Sequence, residues 1–143
     1  MKIDKTIAIA RPPEEVWDFI ADARNDPHWC DKVDSVEQVA GEGPGPEARY
    51  RVLHRPIRLK KAKELAVTVH EYDRPRQLRL REEDDDAVFE VTYRLLATAE
   101  GTDLTQVDEI DWKIPFPGPQ IGRLMVSRDI ERQFSALKRR LET

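Results

Sequence analysis

RPPEEVWDFIADARNDPHWCDKV, residues 11–33, is the stretch that decides how this chain folds. Pro13 suits the first position of a helix, where its missing N–H is no loss. Glu14 and Glu15 fall in the first turn, where the helix dipole favours acids. Val16, Phe19 and Ile20 share one face at spacings of three and four. Asn25-Asp26-Pro27 then breaks the pattern and restarts it. Asp26 reads as an N-cap and Pro27 as the first position of a one-turn helix carrying His28, Trp29 and Cys30. Two helical fragments this short, side by side, read as notches in the rim of a cavity.

Strands lie on both sides. Residues 3–10 put Ile3, Ile7 and Ile9 on one side at period two. After the short helices, VDSVEQVA (33–40) is a strand and GEGPGPE (41–47) a turn by its Gly and Pro content. ARYRVLH (48–54) places Ala48, Tyr50, Val52 and His54 on one face and Arg49 and Arg51 on the other. ELAVTVHEY (64–72) gathers Leu65, Val67 and Val69, and DRP (73–75) turns the chain. QLRLREE (77–83), AVFEVTYRLLA (87–97) and TDLTQVDEIDW (102–112) complete about seven strands at hairpin spacing, so the sheet is expected to be antiparallel.

The end of the sequence changes period. IPFPGP (114–119) is a breaker, with Gly118 as N-cap and Pro119 at the first helical position. Val126, Ile130, Phe134, Leu137 and Leu141 then form one apolar stripe on a helix of about twenty residues. Such a helix must lie across the apolar face of the sheet. A strongly curved sheet and a straight helix do not touch along their whole length, and the gap between them is a natural cavity. The expected fold is therefore α+β: a curved antiparallel sheet packed against a long C-terminal helix. No internal repeat or linker divides residues 1–143, which read as a single domain.

Composition narrows the function classes. Hydrophobic residues make up 39% and charged residues 36% of the chain, and the net charge is −4. That balance fits a polar globular domain and argues against general nucleic-acid binding. Charges interrupt the apolar residues of the first segment at once, so no signal peptide is expected, and no run approaches the ~18 apolar residues of a membrane span. The single Cys30 forms no disulfide within the chain and fits a reducing cytoplasm. The basic middle (Arg49, Arg51, Arg55, Arg58, Lys60, Lys61, Lys63, Arg74, Arg76, Arg79 and Arg81) lacks interleaved aromatic residues and reads as a solvent-facing sheet surface. EEDDD (82–86) reads as a solvated hairpin tip without calcium-loop spacing.

IARPPEEVWDFIADARNDPHW resembles the opening of the START-like superfamily, also called SRPBCC or Bet v 1-like, and in particular its polyketide cyclase/dehydrase branch. GPGPEARYRV (43–52), VTVHEYDRPRQLRL (67–80), FEVTYRLLATAEGTDLT (89–105) and FSALKRRLE (134–142) fit the same family in order. Glu47-Ala48 stands where the family often has a glycine before the third strand. The resemblance implies a helix-grip fold with an internal cavity for small hydrophobic molecules. Members include aromatase/cyclases, lipid and quinone carriers, hormone-binding proteins and co-chaperone-like domains.

The strand faces supply the candidate site. Tyr50 and His54 share a face with Ala48 and Val52; Tyr93 shares one with Phe89 and Val91; Gln106 and Asp108 share one with Leu104, Ile110 and Trp112. A polar residue on an apolar face is hydrogen-bonded inside or wet in a cavity. Asp108 is the candidate acid or base, because a pocket-facing carboxylate has a raised pKa. The competing reading is a bulge that turns it to water. Trp29 fits core and cavity wall equally, Trp17 packs beneath the rim, and Trp112 closes one end of the cavity. His54 and His70, near strand ends, read as rim or solvent residues. His28 and Cys30, two apart, face different sides of a helix, so Cys30 reads as a buried thiol rather than a nucleophile. His28, His54 and His70 lack zinc spacing, and no metal or cofactor is expected.

Three functions remain open. The first is binding of a small hydrophobic or aromatic molecule by Trp29, Tyr50, His54, Tyr93, Gln106, Asp108 and Trp112. The second is a cyclase/dehydratase-type enzyme in which Asp108, with a Tyr or His, moves protons. The third is docking of a ribosome or another protein on the basic face. The sequence leaves monomer and dimer open.

Overall fold

The strands of the computed structural model are β1 (Lys2–Ile9), β2 (Val33–Ala40), β3 (Arg49–His54), β4 (Lys63–Asp73), β5 (Gln77–Glu83), β6 (Ala87–Ala97) and β7 (Thr102–Trp112). Two α-helices, α1 (Pro13–Ile20) and α2 (Pro119–Glu142), and a 3-10 helix, Ala23–His28, complete it. The structure describes residues 1–57, 59–115 and 118–143; Arg58 of the basic stretch and Phe116-Pro117 of the breaker lie outside the described residues.

All seven strands form one antiparallel sheet in the order β1-β7-β6-β5-β4-β3-β2. The two strands joined by the short helices therefore stand at opposite edges. Laid flat, a seven-stranded sheet is about 29 Å from edge to edge. Helix α1 advances about 12 Å and the 3-10 helix about as much. The connection carries both short helices from one edge of the curved sheet to the other. Register shifts at Val33/Ser35 and Gln38/Ala40, on β2 against β3, and at Val69/Glu71, on β4 against β5, add bend on the β2 side. The pairings of β7 with β1 and β6 run without a shift. No bulge turns Asp108 over, and the face assigned to it by alternation holds.

Helix α2 lies along the concave face. Val126, Ile130, Phe134 and Leu137 are buried and Leu141 is half-buried, as their spacing predicts. Gly118, with φ of 92°, precedes Pro119 at the first turn. The helix is fastened to both edges of the curl. On the β1 side, Lys5 reaches Glu131 at 2.9 Å, Arg11 donates to the Leu141 carbonyl at 2.6 Å, and the Ala10 N–H donates to Glu142 at 2.8 Å. On the β2 side, Lys32 pairs with Asp129 at 2.9 Å and Arg132 with Asp31 at 3.2 Å. Trp17 is wholly buried and meets Tyr72 edge-on at 5.2 Å, which anchors α1 to β4.

Two local expectations need correction. Asp22, not Asp26, caps the second short helix: its Oδ1 accepts the Arg24 N–H at 3.1 Å, and its carboxylate also holds the Arg24 guanidinium at 2.7 and 2.8 Å. The helix is 3-10, begins before the Asn-Asp-Pro stretch, and carries Pro27 inside. This frees the Asp26 side chain for the cavity. Residues 82–86 are likewise not a solvated tip throughout. Asp85 is exposed, but Asp84 is buried: its Oδ1 accepts the N–H groups of Asp86 and Ala87 at 2.8 and 3.0 Å and so closes the turn.

The basic stretch is interleaved with acids. Arg51 stands 3.5 Å from Glu37, Arg55 2.8 Å from Asp34, Arg74 3.0 Å from Asp18, Arg76 3.2 Å from Asp73, and Arg81 3.3 Å from Glu83. Exposed pairs of this kind contribute little stability, but they break up the positive field of that face.

Candidate functional site

Cross-strand register sorts the concave face into rows. One row runs Ile110, Phe89, Glu82, Val67, Tyr50. The next runs Ile3, Asp108, Val91, Leu80, Val69. Each row is apolar but for one carboxyl. Under α2 these rows do not close completely, and a cavity of about 180 Å³ remains between sheet and helix. Val52, Leu65, Val67, Phe89, Val91 and Trp112 supply apolar wall from the sheet, and Met125, Val126 and Ile130 supply it from α2. Gly122 lets the helix come close to Trp112: a Cβ there would lie 3.2 Å from the indole ring.

The polar groups gather on one part of this wall. Asp26 enters from the 3-10 helix, Glu82 from β5, and Tyr93, Gln106 and Asp108 from β6 and β7. Gln106 donates through Nε2 to Asp108 Oδ1 at 2.9 Å, and its own Oε1 has no partner. Burial raises the Asp108 carboxyl to about 6, the Gln106 amide pulling it down and the Asp129 charge pushing it up. Burial, together with the charge of Asp108, raises Glu82 to about 8. The order of ionisation follows: Asp108 loses its proton first, while Glu82 is still neutral, and Glu82 then ionises against a charge already present. Burial and then Glu82 also raise Asp26 well above the ordinary carboxyl range, with the Trp29 indole acting the other way. The Tyr93 hydroxyl and the Cys30 thiol are raised by the same desolvation. Glu82 therefore holds its proton to higher pH than Asp108 does.

Ion pairs also line the cavity. Lys32–Asp129 ties the start of β2 to α2, and His54 Nε2 lies 2.9 Å from Asp84 Oδ2, tying β3 to the β5–β6 turn. Lys63 pairs with Asp86 beside it. Burial lowers the His54 pKa more than Asp84 raises it.

Of the residues singled out from the sequence, the cavity brings together His54, Tyr93, Gln106, Asp108 and Trp112. Trp29 and Tyr50 are buried but lie outside its lining: Trp29 packs on Tyr93 at 6.3 Å, and Tyr50 fills the core at the end of its row. His54 is no solvent residue, because Asp84 holds it inward; His70 sits at the β4 irregularity, 3.9 Å from Glu90. Cys30 lines the cavity as a buried thiol. Sequence reasoning missed Glu82 and Asp26. Glu82 was legible: Leu78 and Leu80 are buried, and Glu82 follows them at period two. The run of acids after it hid the phase. Asp26 left no such signal, because a residue before proline is equally a cap. Among the described residues, no group of three His, Cys, Asp or Glu could hold a metal ion, and no helix is long and apolar enough to cross a membrane.

A curved antiparallel sheet gripping one long helix over a lined cavity defines a START-like protein, and comparison with known proteins agrees. The family model described as "Polyketide cyclase / dehydrase and lipid transport" matches residues 1–142, and the chain belongs to that family. A START superfamily protein from Mycobacterium smegmatis superposes with a TM-score of 0.84 at 18% identity, over 99% of this chain and 97% of that one. The protein TTHA0849 from Thermus thermophilus gives 0.78 at 23% identity, over 99% and 97%. The Zhui aromatase/cyclase from Streptomyces sp. R1128 gives 0.76 at 16% identity, over 99% and 93%. At these identities the likeness is one of fold. No curated protein matches the chain.

Proposed function

We propose that this protein binds a small, largely apolar or aromatic molecule in the cavity between the sheet and α2. The observation that carries the reading is the cavity itself: apolar walls on both layers and a few polar side chains converging on one patch. Its volume of about 180 Å³ is near the ~150 Å³ that admits a benzene ring and below the ~300 Å³ at which pockets for drug-sized ligands begin. A molecule of one ring, or a short chain, matches it in this closed form. Native mass spectrometry of protein purified from its own host, followed by denaturing release, tests the reading. A stoichiometric apolar species supports it. Failure of every member of a small apolar library to bind below millimolar concentration opposes it.

A second reading has its own observation. Two carboxyls whose pKa values of about 6 and about 8 straddle neutrality are suited to give and take protons. In a cyclase/dehydratase-type reaction Asp108 would accept a proton and Glu82 would donate one. Turnover that survives Asp108→Asn unchanged removes that reading.

A further inference from the structure

The charged groups of the cavity fall into two sets. In one, opposite charges meet: Lys32 with Asp129, and His54 with Asp84. In the other, Asp26, Glu82 and Asp108 line the same space, and among the described residues none of them stands in an ion pair with a cation. Gln106, only 3% exposed, adds to their demand. Its Nε2 is spent on Asp108, and its Oε1 is buried without a partner. An orphaned buried acceptor lacks a donor. Carboxyl oxygens at the same patch accept hydrogen bonds too. The Tyr93 hydroxyl and the buried, unpartnered Trp112 indole N–H are donors on the same wall, and burial favours the protonated forms of Glu82 and Asp26. What lacks a donor is the Gln106 carbonyl oxygen beside the Asp108 carboxylate.

Resting on the reading that the cavity binds a small apolar molecule, we propose that its ligand is an organic cation. It would carry a protonated amine, seated among Asp26, Glu82, Asp108 and the Gln106 carbonyl oxygen, on one ring or a short apolar body. An ammonium offers three N–H donors and no acceptor, which complements the Asp108 carboxylate and the orphaned Gln106 carbonyl oxygen. Phe89, Tyr93 and Trp112 line the remaining wall, and aromatic faces attract a cation once it is desolvated. A bare metal ion is the poorer occupant, because the carboxyls are not gathered closely enough to ligate one. An anionic occupant such as a fatty acid would bring like charge against Asp108 and raise all three carboxyls further. Binding of a cation reverses the desolvation cost of the carboxylates, so Glu82 gives up its proton as the ammonium enters.

Three probes of one size decide the matter: benzylamine, benzyl alcohol and benzoate, titrated calorimetrically into the intact protein at pH 7. The expected order is benzylamine at least tenfold tighter than benzyl alcohol, with benzoate weaker than both. The apparent enthalpy for benzylamine should also change with the ionisation enthalpy of the buffer, which reports proton release. In Glu82→Gln/Asp108→Asn the preference for amine over alcohol should shrink to below threefold. If benzyl alcohol binds as well as benzylamine, or benzoate binds best, the cation assignment is overturned while the apolar cavity stands. If none of the three binds at millimolar concentration, the cavity reading itself fails, and the cation assignment falls with it. The ranking on the wild-type protein decides the assignment even if the double variant does not fold.

Discussion

Glu82→Gln should make this protein more stable at neutral pH, and the gain should grow with pH. The carboxyl sits in an apolar row between Phe89 and Val67, and its pKa rises from 4.5 to about 8 on folding. Between those values the folded state keeps a proton that the unfolded chain has released. Stability therefore falls as pH rises through that window. At about 1.4 kcal/mol per unit, the penalty is about 1 kcal/mol at pH 5, about 3 kcal/mol at pH 7, and larger still above pH 8. Glutamine has nearly the same shape and no charge to desolvate, so the substitution removes that penalty. For a chain of 143 residues, 3 kcal/mol corresponds to about 10 °C in Tm. Urea unfolding followed by tryptophan fluorescence, at pH 5 and pH 7 on both proteins, provides the measurement. A gain at pH 5 equal to that at pH 7, or a loss at pH 7, refutes the claim that Glu82 is held neutral by burial.

Three other substitutions probe the frame around the cavity. Leu137→Ala, at a fully buried site on α2, should cost about 2–5 kcal/mol in chemical denaturation. Gly101→Ala should cost at least about 2 kcal/mol, because the φ of 150° is foreign to alanine. Its Cβ would also run into the Ile9 carbonyl oxygen. A melting curve like that of the wild type would contradict the close approach. Val91→Phe, pointing into the cavity beside Asp108, should abolish uptake of a small apolar fluorophore while leaving a cooperative melt.

The candidate site was legible to the extent that side-chain phase was legible. Gln106 and Asp108 lie on a strand with eleven residues in unbroken register, so alternation alone put them on the apolar face. His54 and Tyr93 followed from the same rule. Where side chains are placed by turns the rule stopped. Asp26 was read as a cap because Asp-Pro fits one, but Asp22 takes the cap through Arg24. Trp29 and Tyr50 were placed on suitable faces, yet an apolar face does not distinguish a wall from the core behind it. That distinction depends on where α2 stops touching the sheet, which no local pattern encodes.

By itself the sequence determined the period of each segment, and with it seven strands, two short helices and one long amphipathic helix in their order. Those are local properties, set by backbone preference and by which side must leave water. Only the tertiary structure decided that β1 and β2 stand at opposite edges of the sheet and that the sheet curls beneath α2. It alone brought Asp26, Glu82 and Asp108, from three separate elements, into one desolvated space. The physical reason is that a pKa and a cavity depend on distances between residues far apart in the chain. Those distances are fixed by how the layers pack, and neighbours in sequence carry no record of them.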